Sequence, residues 1–89
     1  MDADSLKLIM WIKENITYYK LNKYSSKNII KVSSGTIAKK LKYSPRKIGL
    51  VLKALEESGY IRVLEKRPRN TPFGRRTTYI IEVFEWSSH

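Results

Sequence analysis

The chain has 89 residues, 42% of them apolar and 11% aromatic, enough for one small hydrophobic core and too short for two. Lys and Arg number 18 against 8 acids, a net charge of +10 that draws polyanions: nucleic acid first, an anionic membrane or acidic protein after it. The absence of cysteine excludes disulfides, thiol chemistry and cysteine-ligated metal, and the one histidine, His89, is expected to fray rather than to function.

In chain order, Asp4 is expected to cap a helix that starts at Ser5. Ile9, Ile12, Ile16 and Tyr19 recur at helical spacing, which predicts a helix running to about Leu21. Leu8, Trp11 and Tyr18 make a second apolar stripe on a neighbouring face. "LKLIMWI" is far shorter than the roughly 20 residues of a membrane span. It also follows acids rather than cations, unlike a signal peptide. A cytoplasmic protein that does not enter membranes is expected, and the lack of glutamine beside abundant lysine and isoleucine leans toward a thermophilic source.

"NKYSSKN" reads as a polar loop and "IIKV", 29–32, as a short β-branched strand. Ser33 or Ser34 should cap a short helix, "GTIAKKLK", whose inward side is Ile37, Ala38 and Leu41. After a tight turn at Tyr43, Ser44 caps a further helix with Pro45 at its first position, where a missing N–H costs nothing. Ile48, Leu52 and Leu55, with Val51 beside them, are its apolar seam, and Gly59 ends it. "YIRVLE" and "TTYIIEVFEW" read as two strands of a hairpin. Between them "EKRPRNTPFGRR", 65–76, reads as an unstructured basic loop. Residues 59–76 hold six cations and one acid, and residues 77–89 hold no cation and two acids.

The order α-β-α-α-β-β, carried by "SSGTIAKKLKYSPRKIGLVLKALEESGYIRVLE" at 33–65 and then "TTYIIEV", resembles the winged helix-turn-helix family. Ala38 is small where the two helices of that motif approach, with Ile48 ten residues and Val51 thirteen residues later. Lys42 stands where many such proteins carry glycine. The resemblance implies one α+β domain over 1–89, three helices with a small antiparallel sheet, that binds double-stranded DNA as a transcriptional regulator. It implies a recognition helix over 44–58 in the major groove and a wing over 66–76 on the adjacent backbone or minor groove.

The residues expected at DNA are then Ser44, Pro45, Arg46, Lys47, Gly49, Leu50 and Lys53 on the helix. Arg46 is the base reader, because a guanidinium can bond guanine twice. Lys47 and Lys53 are phosphate contacts, Gly49 permits close approach or relieves packing, and Leu50 faces a thymine methyl or is half-buried. On the wing the expected contacts are Lys66, Arg67, Arg69, Arg75 and Arg76. Charge there opposes folding and becomes favourable when phosphates replace counterions. Arg75 and Arg76 are adjacent and expected to point opposite ways. Ser33 and Thr36 could offer groups to a phosphate or simply cap their helix.

A homodimer is expected, with Leu8, Trp11, Tyr18, Phe84 and Trp86 at its interface, since one small core can hardly hold them all. Two readings compete with DNA: a structural RNA-binding or ribosomal protein, and a protein-interaction module. No base–nucleophile pair, metal-ligand set or phosphate-cradling glycine loop is recognisable, so neither enzyme activity nor a metal or other cofactor is expected.

Overall fold

The computed structural model of the chain describes residues 2–21, 28–72 and 74–84. In chain order its elements are α1 (Ala3–Glu14), α2 (Ile16–Tyr19), β1 (Asn28–Ser33), α3 (Ser34–Leu41), α4 (Pro45–Glu57), β2 (Ile61–Thr71) and β3 (Gly74–Val83). The fold is α+β: four helices and a three-stranded antiparallel sheet with strand order β1-β3-β2.

α1 begins at Ala3, two residues before the expected start at Ser5. Asp2, not Asp4, is the cap, its carboxylate accepting the Ser5 amide at 2.7 Å. That bond holds the Asp2 carboxyl below the usual carboxylate range. The helix also ends early. At Asn15 the side-chain amide donates to the Trp11 carbonyl at 2.9 Å, competing with the backbone ladder, and the dihedrals leave the helical region. The β-branched Ile16 and Thr17 do not restore more than the single turn of α2. The chain then becomes extended: Lys20 bridges Ile30, and the Leu21 amide donates to the Ile29 carbonyl at 2.7 Å. Most of the expected polar loop, 22–27, lies outside the described residues.

Ser33 caps α3, its hydroxyl accepting the Thr36 amide at 3.2 Å. The Ser34 hydroxyl is buried and accepts the Thr77 amide, which ties α3 to β3. Lys42 closes α3 in the left-handed region, φ 62°, and its amide donates to the Ala38 carbonyl. A residue other than glycine pays on the order of 1 kcal/mol there, so the tight turn survives the departure at Lys42 at a cost. Ser44 and Pro45 start α4 as expected, and Gly59 ends it at φ 81°.

The core joins all layers: Leu8, Ile9 and Ile12 of α1, Ile37 and Leu41 of α3, Ile48, Leu52 and Leu55 of α4, and Ile30, Ile61 and Ile81 of the sheet. Cross-strand partners share a face. Ile30↔Ile81, Val32↔Tyr79, Ile61↔Val83 and Val63↔Ile81 therefore turn inward, whereas Lys31↔Ile80 and Ser33↔Thr78 turn outward.

Leu8 is expected at a dimer interface but is wholly buried in this core. Trp11 packs partly against the core, with Tyr19 at 5.6 Å between ring centroids. The exposed apolar residues of α1 are Leu6 and Met10, and beyond it Tyr18 is 81% exposed. Phe84 is exposed, and Trp86 lies outside the described residues.

Candidate nucleic-acid interface

The basic stretch is not a loop. β2 and β3 pair through it without a break, as far as Thr71↔Gly74. The Thr71 hydroxyl donates to the Gly74 carbonyl at 2.7 Å, and Gly74 takes φ 119°, a conformation open chiefly to glycine. From Leu64 to Asn70 every residue is exposed, so both faces of this half of the hairpin meet solvent. The two prolines were the misleading signal. β2 is an edge strand, where Pro68 is tolerated, and Pro72 falls at the turn.

One residue decides which cations face which way. Val63 pairs with Ile81, but Glu65 pairs with Ile80, leaving Leu64 as an extra residue in a β-bulge. Since side chains alternate with period 2, the bulge inverts the facing of everything beyond it. Lys66 therefore joins Tyr79, and Asn70 joins Arg75, on the side of α4. Arg67, opposite Thr78, and Arg69, opposite Arg76, turn to the outer side. Arg75 and Arg76 do point opposite ways. Beside the bulge, the Glu56 carboxylate accepts the Val63 amide at 2.9 Å and fastens β2 to the end of α4.

Between the N-terminal half of α4 and the inner side of the hairpin lies an open groove of about 710 Å³. Arg46, Gly49 and Leu50 line it from α4, and Lys66, Arg75 and Tyr79 from the strands. Its three charged lining residues are all cations. Burial pushes the Tyr79 phenol up.

Of the helix residues expected at DNA, Ser44, Pro45, Arg46, Leu50 and Lys53 are exposed. Ser44 is also the cap, its hydroxyl accepting the Lys47 amide at 3.2 Å. Leu50, at 61%, is not half-buried. Gly49 relieves no packing: a Cβ added there would meet nothing within 4 Å.

Lys47 is turned away from the groove. Its ammonium lies 3.0 Å from the Asp4 carboxylate and 4.7 Å above the Tyr43 ring. Tyr43 is itself buried, its hydroxyl donating to the Asp4 carbonyl at 2.9 Å. Burial first, then the Asp4 charge, pushes its phenol up. Lys47, three residues after the capping serine, thus serves the contact between α1 and α4. Spacing alone could not reveal this, because the acid that claims Lys47 is distant in sequence.

On the wing, Arg67 pairs with Glu65, while Lys66 and Arg75 reach the groove. Among the described residues there is no cluster of three metal-ligating side chains, and no helix is long and apolar enough to cross a membrane. Comparison with protein-family models, curated proteins and solved structures finds no match to the chain.

Proposed function

We propose that the protein is a winged helix-turn-helix protein that binds double-stranded DNA and regulates transcription. α4 enters the major groove by its N-terminal end, and the β2–β3 hairpin follows the adjacent backbone or minor groove. The observation that carries this reading is the groove shared by α4 and the hairpin, with Arg46, Lys66 and Arg75 as its charged lining. Like charges gathered around one concave surface repel each other in the free protein and become favourable when a polyanion displaces their counterions. The major groove is wide enough to admit an α-helix such as α4. In this reading Arg46 reads a base edge, Leu50 offers an apolar contact to a thymine methyl, and Lys66 and Arg75 hold phosphates.

The protein acts as a homodimer in this proposal. The surface left for the contact is Leu6 and Met10 of α1 with Tyr18 and Phe84, all exposed. A two-fold dimer would offer two α4 helices to half-sites about one turn, ~34 Å, apart.

Selection of bound sequences from a random duplex pool tests both parts. A sharp palindrome with that half-site spacing is expected. Failure to enrich any sequence would refute the regulator reading and favour a structural RNA-binding role.

A further inference from the structure

The outer face of the sheet carries charge that the α4 groove does not use. Arg69 and Arg76 are directly opposite each other on β2 and β3. Like charges at such a position are destabilising, because the two Cβ atoms stand only about 5 Å apart. Neither forms an ion pair with a described residue. Glu65, the nearest acid along β2, is taken by Arg67, and Glu82 lies further along the face opposite Arg62.

Arg76 is held where its charge is least welcome. Its guanidinium lies over Gly35 in the first turn of α3, and a Cβ on that residue would stand 2.7 Å from Nη1. A cation at this end of a helix opposes the helix dipole. Between the two arginines is a hollow of about 460 Å³ completed by Ser33, Thr71 and Thr78. Ser33 and Thr71 already make hydrogen bonds, as helix cap and to Gly74. A second hollow, of about 390 Å³, continues along the face to Lys31 and Arg67. A bound oxyanion would turn each of these repulsions into an attraction, with two guanidinium forks suited to its oxygens.

We propose that Arg69 and Arg76, with Thr78 beside them, form an oxyanion site that holds a backbone phosphate of a second nucleic-acid segment, separate from the one against α4. The source of the phosphate rests on the DNA-binding reading above; the anion site does not. Because inner and outer residues stand on opposite faces of the same strands, one chain can hold two segments at once.

The test uses the full ¹⁵N-labelled chain with pyrophosphate as small probe, and a bead-tethered duplex with a second, fluorescent duplex for capture. Pyrophosphate should move the amide signals of Gly35, Thr77 and Thr78. The shifts should vanish in Arg69→Ser/Arg76→Ser and weaken in Gly35→Ala, whose methyl displaces only the flexible end of Arg76. The double variant should bind a single duplex nearly as well as wild type yet capture the second about tenfold less, two phosphate contacts being lost.

Absent shifts, or shifts unchanged by the double variant, would overturn the site. Shifts that vanish while capture persists would overturn the second segment, leaving capture to two copies of the chain. An equal fall in single-duplex affinity would also overturn it, by assigning both arginines to the α4 footprint. Shifts in a protein that binds no duplex would refute the DNA reading and leave the anion site standing.

Discussion

Gly49 sits in the middle of α4 with open space where a Cβ would be. Alanine there should raise stability by roughly 0.5–1 kcal/mol through helix propensity alone. A side chain in the groove should at the same time weaken duplex binding. Chemical denaturation and a binding titration on Gly49→Ala check the two signs; stronger stability with unchanged affinity would mean that nothing approaches this residue. Its neighbours separate the cations of the helix by role. Arg46→Ala should cost roughly 1–3 kcal/mol at a selected site and relax the preference at one base pair. Lys47→Ala should do much less, because that ammonium is committed to Asp4 and Tyr43. As a half-exposed pair, Lys47–Asp4 also contributes at most about 1 kcal/mol to stability. The sequence made Arg46 legible through the cap and proline that set the start of α4. It could not separate Lys47 from Arg46, since the difference depends on where α1 packs.

The hairpin shows what a strand pattern can and cannot tell. Its ends were legible from alternating Ile, Val and Tyr flanking the basic stretch. Its continuity was not, because proline and glycine normally interrupt a ladder, and only the edge position of β2 makes Pro68 acceptable. The bulge at Leu64 was invisible for the same reason: alternation through "YIRVLEK" looks regular until the partner strand is known. Deleting Leu64 should restore regular pairing and keep the facing of residues 65–71, with Lys66 still opposite Tyr79 and Arg67 still opposite Thr78. The core strand residues Ile61 and Val63 precede the bulge, so folding should survive. The variant should retain the wild-type circular dichroism spectrum and, with Lys66 still facing α4, its affinity for duplex DNA. Lost affinity would show that the local twist of the bulge, and not the facing of Lys66 alone, positions the hairpin.

At the scale of the whole molecule, helices and sheet share a single core, and the excess charge gathers on the hairpin and the start of α4. The core was largely readable in advance, since Ile9, Ile12, Ile37, Ile48, Leu52 and Leu55 follow helical spacing. The division of charge was not, for it follows from a bulge and a turn rather than from composition. In the proposed function, the groove between α4 and the inner face of the hairpin holds nucleic-acid backbone. The most direct measurement is duplex affinity across a salt series for wild type and Lys66→Ser/Arg75→Ser. Both residues are exposed and outside the core, so the variant should fold. Each phosphate contact contributes about 0.9 to the slope of log affinity against log salt, so the slope should fall by about 2, with affinity reduced most at low salt. An unchanged slope and affinity, or a wild-type protein that binds no duplex, would mean that the groove does not hold nucleic acid.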